Sequence, residues 1–309
     1  MAIISPALLT SLHTSYKMDF QRGQARATPM WDRVATEIQS SAASNTYGWL
    51  GRFPSLRQWV GDRVIKDMKA HGYKIDNQTF EATIGIDRDD IEDDVLGTYS
   101  PMFEEMGYAA TIQVDQAVYA LLNAGDTTLC YDGQNYFDTD HPVFPNHDGT
   151  GTAETVSNYK DGTANSGTPG PAWFLLQTTR PLKPLIYQNR RAPEFVTKFD
   201  PQNSDHVFMK KEYLWGVDRR FSAGFGLWQF AYMSKEPLTS DTLQLAFQDM
   251  MAFKADGGTL LGVIPDLLVV PPALDGAATI AVKNMFDAAG ASNKTYQKVD
   301  CATVPWLAA

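Results

Sequence analysis

The densest group of potentially reactive side chains is an acidic segment, TIGIDRDDIEDD, which spans residues 83–94. Six carboxylates lie within eight positions: Asp87, Asp89, Asp90, Glu92, Asp93 and Asp94. Such a run could bind a divalent cation, supply a pair of catalytic acids, or present a charged surface to another protein. A calcium loop of the EF-hand type needs an acid at its fifth position, a glycine at its sixth and a glutamate at its twelfth. Counted from Asp87, those positions hold Ile91, Glu92 and Thr98, so the calcium pattern fails.

The same acids are poorly placed for acid–base catalysis, because a catalytic acid is normally set apart in an apolar pocket. They are crowded together ahead of an expected helix, where carboxylates commonly oppose the helix dipole. A second candidate, a divalent-metal site, comprises Asp138, Asp140 and His141 in the segment YFDTDHPV. No histidine or glutamate at helical spacing supports it, and Pro142 favours an extended turn in which the aspartates bond their own backbone.

The motifs G-x-S-x-G and H-E-x-x-H and a glycine-rich phosphate loop are also absent from the sequence. We therefore predict no catalytic, cofactor-binding or metal-binding residues, and no enzymatic activity. A divalent-metal-dependent hydrolase is kept as an alternative.

The composition is that of an ordinary globular protein with an acidic balance. The chain has 309 residues, of which 44% are hydrophobic, and a formal net charge of −10. That charge argues against a nucleic-acid reader, which needs clustered lysine and arginine. Cys130 and Cys301 lack metal-ligand spacing, so we expect buried, unreactive thiols. No segment approaches the ~20 apolar residues of a membrane span, and the start lacks the pattern of a secretory signal, which suggests a cytoplasmic product.

The first 86 residues predict two parts that are each too small to form a hydrophobic core of their own. Residues 1–48 are expected to form an arm with two short amphipathic helices. Their apolar positions are Leu8, Leu9, Leu12 and Tyr16 in the first, and Trp31, Val34 and Ile38 in the second, which would begin at Pro29. Residues 49–86 predict a long polar hairpin around KAHGYKIDN that stands off the body. Both parts need a partner surface.

The body opens with a long helix. Residues 97–124 predict this helix, with Ser100 as N-cap, Pro101 at the first helical position and Gly125 beyond its end. Residues 126–171 are rich in loop-forming residues, and β-patterned segments follow as far as residue 234. From residue 236, a helix opened by Ser240, the apolar strand DLLVVPP and a second helix predict a separate α/β lobe.

Five segments, in this order and spacing, carry a resemblance to a known family: YKIDNQTFEATIGIDRDDIEDDVLGTY, YDGQNYFDTDHPV, RPLKPLIYQNRRAPEF, YLWGVDRRFSAGFGLWQFAYMS and PDLLVVPPALDGAA. Over essentially its whole length the chain resembles the major head (capsid) subunit of Mu-like transposable phages. The resemblance implies the HK97-like capsid fold, of the α+β class. Its parts would be an N-terminal arm (1–48), an extended β-hairpin loop (49–92), a peripheral domain (93–235) with a spine helix at 97–124, and an axial α/β domain (236–309).

The resemblance also implies a function. Such a major capsid protein self-assembles as hexamers and pentamers into an icosahedral shell that encloses the double-stranded DNA of a tailed phage, without sequence-specific binding. The implied partners are scaffold, portal and decoration or minor head proteins, with no membrane and no cofactor. The subunit would assemble in the host cytoplasm and end in the virion. A non-viral protein compartment of the same fold is a further alternative.

Charge is segregated along the chain, which suits contacts between subunits. Residues 87–105 carry eight acids and one base, whereas residues 1–33 carry four bases and two acids. We predict inter-subunit contacts at Arg22, Arg26, Arg33, Lys66, Lys69, Asp87, Asp89, Asp90, Glu92, Asp93 and Asp94. The acidic segment would meet the arginines of a neighbour's arm, and a merely solvated acidic face is the alternative.

Overall fold

The computed structural model describes residues 5–48, 50, 72–93, 96–146, 149–163, 167–198, 205–286 and 290–308, and it has the expected α+β composition. The α-helices of this part are α1 (Pro6–Arg26), α2 (Arg88–Glu92), α3 (Ser100–Asn123), α4 (Asp205–Lys210), α5 (Ser240–Met251) and α6 (Asp275–Lys283). The strands are β1 (Ala35–Gln39), β2 (Ser44–Thr46), β3 (Lys74–Asp76), β4 (Gln78–Asp87), β5 (His141–Val143), β6 (Glu154–Val156), β7 (Tyr159–Lys160), β8 (Trp173–Leu176), β9 (Leu185–Lys198), β10 (Glu212–Phe225), β11 (Ala231–Ser234), β12 (Leu267–Val270) and β13 (Asp300–Thr303).

The first sheet is a four-stranded sheet in the order β1-β9-β10-β4. Its centre is the antiparallel pair of β9 and β10, and β4 runs antiparallel to β10 along its whole length. Helices α1 and α3 cover one face, where Tyr16, Phe103 and Trp215 pack their rings together. This half of the molecule is therefore a helical layer on a narrow, elongated sheet.

The second sheet has the order β13-β12-β8-β11-β7. Its three inner strands, WFLL, AYMS and LLVV, are buried at every position, which explains why they read as continuous apolar runs. The strands come from residues 159–303, on both sides of residue 236. The boundary predicted at 235/236 therefore cuts through this sheet, because strands from before it share one core with strands after it.

The arm differs from the prediction. Its first helix is one element of 21 residues, opened by the Ser5 side chain, which accepts a hydrogen bond from the backbone of Leu8. The predicted second helix is wrong: a short 3₁₀ turn at Trp31–Arg33 leads into strand β1. The segment ATEIQ carries β-branched residues, and pairing with β9 satisfies its backbone, so tertiary pairing overrides a weak helical pattern.

The expectation of a hairpin standing off the body is wrong for residues 74–87. Strand β3 pairs with β2, and the following strand, β4, pairs with β10 in the first sheet. These residues therefore form part of the body rather than of an isolated hairpin. Residues 51–71, which include Lys66 and Lys69, lie outside the described part of the chain.

The long helix is confirmed, with a shifted start. It begins at Ser100, and the N-cap position belongs to Tyr99. The Ser100 hydroxyl instead donates a hydrogen bond to Asp19 of α1, at 2.6 Å, so this side chain joins two helices rather than capping one. Similarly, Thr239 and not Ser240 caps α5. Among the described helices, none combines the length and the apolarity that crossing a bilayer requires.

Candidate assembly surfaces

The structure does not bring Asp138, Asp140 and His141 together as metal ligands. The Asp138 carboxylate accepts hydrogen bonds from the backbone of Asn135 and Thr139, as the turn prediction required. Asp140 is exposed, and its hydrogen bond with Asp138 raises its pKa. His141 is fully buried, and its two ring nitrogens bond other residues. The two aspartates thus form hydrogen bonds within their own loop.

His141 instead lies in a buried network that the sequence analysis missed. Its Nδ1 is 2.8 Å from Oδ2 of Asp132, and Cys130 Sγ is 3.0 Å from the other oxygen of that carboxylate. Its Nε2 is 3.2 Å from Oδ1 of Asn158, and its ring stacks on Trp228 with centroids 4.0 Å apart. Asn158 is fixed because its amide nitrogen donates to three backbone carbonyls while Oδ1 accepts from a backbone N–H.

Both ring nitrogens of His141 therefore face acceptors, and the ring bonds both of them only when each nitrogen carries a hydrogen. The atoms of Cys130, Asp132 and His141 lie within 4.8 Å of one another, close enough for a metal to be considered. Two ligands of a tetrahedral zinc, each at about 2.0 Å, lie roughly 3.3 Å apart. The separation of 2.8 Å between Nδ1 and Oδ2 is instead that of a charge-assisted hydrogen bond. Hydrogen bonds join these groups in this structure.

The network makes a testable contribution to acid stability. Burial opposes ionisation of Asp132, but the hydrogen bonds from His141 and Cys130 hold its pKa below the ordinary value. A carboxyl with a lowered folded-state pKa stabilises the fold above about pH 4 and loses that contribution as the pH falls through the folded pKa. In urea unfolding, we expect the stability difference between the parent chain and Asp132→Asn to be large at pH 6 and to shrink below pH 4. A difference that stays constant down to pH 3 would contradict this.

Cys130 belongs to this network as a thiol. Burial, with a smaller contribution from the Asp132 carboxylate, raises its pKa well above the usual range. Cys301 is half-buried, and both cysteines are free. The prediction of unreactive thiols is consistent with this for Cys130.

The acidic segment forms a short helix of its own. The Asp87 side chain caps α2 by accepting a hydrogen bond from the backbone of Asp89, at 2.8 Å. Asp90 accepts a hydrogen bond from the hydroxyl of Tyr99. Asp87 thus precedes α2, Asp89, Asp90 and Glu92 lie within it and Asp93 follows it, so the acids do not lead directly into the long helix α3.

The remaining acids lie at the surface or in local pairs. Glu92 pairs with Arg88 at 2.9 Å, and Asp89 lies 3.6 Å from Lys211. Asp93 is exposed, and Asp94 lies outside the described residues. Local bonds therefore hold part of the segment and leave the rest on the surface.

The three arginines of the arm pair within their own chain. Arg22 bonds Asp19 at 2.9 Å, Arg26 pairs with Glu104 of α3, and Arg33 pairs with Asp300. Half of the Arg22 side chain and two thirds of that of Arg26 stay exposed, so these pairs contribute little to stability. Their contact with a neighbouring subunit stays a prediction.

The arm helix packs directly on the long helix through two glycines. A Cβ atom on Gly23 of α1 would overlap the backbone oxygen of Glu104, and one on Gly107 of α3 would overlap that of Phe20. The two backbones therefore touch where only hydrogen fits. Near the end of α1, the Asp115 carboxylate of α3 accepts hydrogen bonds from the backbone of Met30 and Trp31 at 2.7–3.0 Å. The arm is a fixed part of the subunit.

With this geometry established, comparison with known proteins decides the family. The family model described as "Mu-like prophage major head subunit gpT" matches residues 9–307. The chain belongs to the family of Mu-like major head subunits. The resemblance seen in the sequence is thereby confirmed, and the protein is a structural component of a phage head, hence of the virion.

Individual relatives of this head subunit agree over nearly its whole length. The major capsid protein of Escherichia phage Mu is 49% identical over 278 residues, which is 89% of each chain. The procapsid of bacteriophage JBD30 matches with a TM-score of 0.85 and 50% identity, covering 98% of this chain and 100% of that one. The JBD30 capsid decorated with minor capsid protein trimers matches with a TM-score of 0.76 and 37% identity, covering 99% of this chain and 100% of that one. The head subunit therefore has the HK97-like α+β capsid fold, and its family forms shells of many copies.

Proposed function

We propose that this head subunit assembles as hexamers and pentamers into a closed icosahedral shell around double-stranded DNA, and that it has no enzymatic activity. The observation that carries the proposal is the agreement, over the whole chain, with a subunit seen in a procapsid. The only described cluster of potential metal ligands is joined by hydrogen bonds, which gives the hydrolase alternative no support. Neither alternative, hydrolase or non-viral compartment, has a counterpart among the relatives above.

We infer the partners from the same likeness. The decorated JBD30 capsid supports minor head proteins as partners of this subunit, and a procapsid stage supports a scaffold; a portal would complete a tailed-phage head. The net charge of −10 suits a container, because a wall that bound phosphates tightly would retard DNA during packaging. Assembly would take place in the host cytoplasm.

Particle formation tests the proposal. We expect the purified full-length chain, alone or co-expressed with the scaffold of its own phage, to give closed, uniform shells by negative-stain microscopy and sizing. Deletion of residues 1–28 should abolish them, since it removes α1 but leaves β1 in the sheet. A small oligomer from the full-length chain under both conditions would contradict the proposal.

The inter-subunit role of the charged residues is a separate proposal. Arg26→Asp and Asp90→Arg should each impair assembly, and the two changes together should restore it if the residues meet across a subunit boundary. Because Arg26 pairs with Glu104 and Asp90 bonds Tyr99 within one chain, Arg26→Gln and Asp90→Asn serve as controls that remove charge without reversing it. Normal shells from both reversed single variants would contradict the pairing and favour a solvated acidic face.

A further inference from the structure

Among the described residues, the helical layer over the first sheet is incomplete on one side. Helix α3 lies along the sheet, and α1 lies beside it over β9, where Phe195 contacts the rings of His13 and Phe20. On the other side of α3, over β4, there is a groove of about 480 Å³, and no helix of the described part of the chain covers it. Its apolar lining includes Ala82 and Ile84 of the strand and Met102, Ala109 and Ala110 of the helix.

The arm helix and the groove lie on opposite sides of α3. Residues Glu104 and Gly107 of α3 contact α1, whereas Met102, Glu105 and Ala109 line the groove. With about 100° between successive helical residues, the two sets are centred roughly 180° apart around the helix. One side of the subunit thus presents the outer face of a helix, and the other presents a groove next to a helix.

The outer face of α1 complements this groove. It carries the exposed residues Thr14, Lys17, Met18, Gln21 and Ala25. Met18 is 58% exposed, as a single large apolar side chain among small and polar neighbours.

The small alanine side chains that line the groove leave room for a methionine side chain. The charged residues that line it, Glu81 and Glu105, are both acidic. Lys17 supplies the opposite charge. Size and charge therefore match between the two sides of the same chain.

The two edges of the first sheet are arranged in the same way as the helix and the groove above them. Within the described sheet, β4 is an edge strand, directly under the groove. Beyond Asn189, β9 has lost its pairing with β1, so its residues 190–198 also form a free edge among the described strands, on the α1 side. Arg190 and Arg191 lie on that edge, and Glu81 lies on β4. The movement that brings α1 into a neighbour's groove thus also brings a basic strand edge towards an acidic one.

We propose that the α3–β4 groove is the seat for helix α1 of a second copy of this chain, with Met18 in the groove and Lys17 beside Glu105. The contact joins different surfaces of identical subunits, so repetition with a fixed rotation closes a ring. It thus specifies how neighbours meet within a hexamer or pentamer, and it rests on the proposed shell function.

Disulfide trapping in assembled particles tests the contact. Met18→Cys with Met102→Cys, oxidised after assembly, should give a ladder of linked chains up to the ring size on non-reducing gels, because each subunit links to two neighbours. Met18→Cys with Leu245→Cys is the matched control, since Leu245 is exposed on α5 and lines no part of the groove. A ladder from the control pair alone, or particles with no Met18–Met102 link, would overturn the proposal.

Charge reversal gives a second readout on the full chain. Lys17→Glu and Glu105→Lys should each reduce the yield of shells several-fold, and the double variant should recover most of it, with circular dichroism unchanged throughout. If both single variants assemble fully, the groove has another occupant, which mass spectrometry of crosslinks from Met102→Cys would identify and which would overturn the proposal. Shell formation by the parent chain is scored separately, so the contact can fail while the proposed function stands.

Discussion

Gly107→Ala is expected to destabilise the subunit by about 1–3 kcal/mol and to abolish shell formation. A methyl group at this position overlaps the backbone oxygen of Phe20, which cannot rotate away as a side chain could. Helix α1 must therefore move off α3, and overpacking of this kind costs roughly 1–3 kcal/mol or more. Displacing α1 also loosens Tyr16 and Phe20 from the buried clusters that they join. Urea unfolding and sizing measure the two effects.

The control for this substitution lies in another helix of the same chain. Gly276 is in α6, and a Cβ there would meet no atom within 4 Å. Gly276→Ala should therefore be neutral or stabilising by up to about 1 kcal/mol, because alanine has the higher helix propensity. If Gly107→Ala unfolds at the same urea concentration as the parent chain and forms shells, the close packing of α1 on α3 is not required for assembly.

The long helix was predicted correctly from the sequence, whereas the strand that follows the arm helix was predicted as a helix. The length of the two segments explains the difference. Residues 100–123 repeat the helical period over many turns, and no other element competes for them. ATEIQ is five residues long and fits either period, so its conformation depends on β9, which lies about 150 residues later. Short segments take their structure from partners that local pattern does not reveal.

The same limit applies to the predicted surfaces. Charge segregation pointed to the arm arginines and the acidic segment, but not to the pairs that Arg26 and Arg33 form with Glu104 and Asp300 in their own chain. The groove beside α3 arises from the placement of two helices on a sheet, and no motif encodes it. The buried network is similarly invisible, since Cys130, Asp132, His141 and Asn158 have no characteristic spacing. The family was predicted correctly because the resemblance rested on the order and spacing of five long segments rather than on a single motif.

His141→Ala is expected to destabilise the fold by about 3–5 kcal/mol, because it removes a fully buried ring and leaves buried hydrogen-bonding groups without a partner. The change leaves the Asp132 carboxylate without one of its three hydrogen-bonded partners and Asn158 Oδ1 without one of its two. It also removes the stacking on the buried ring of Trp228. His206→Ala is the control, because that histidine is partly exposed and pairs with the partly exposed Glu212 at 3.2 Å, so its loss should cost under about 1 kcal/mol.

A double-mutant cycle separates the hydrogen bond between His141 and Asp132 from the cavity that alanine leaves. If His141 and Asp132 stabilise each other, His141→Ala with Asp132→Ala should cost less than the sum of the two single changes, by roughly 2–3 kcal/mol. Additive single effects would mean that His141 contributes by packing alone. In that case Asp132 would owe its ionised form to Cys130 and the backbone of Gln134, its other hydrogen-bond donors.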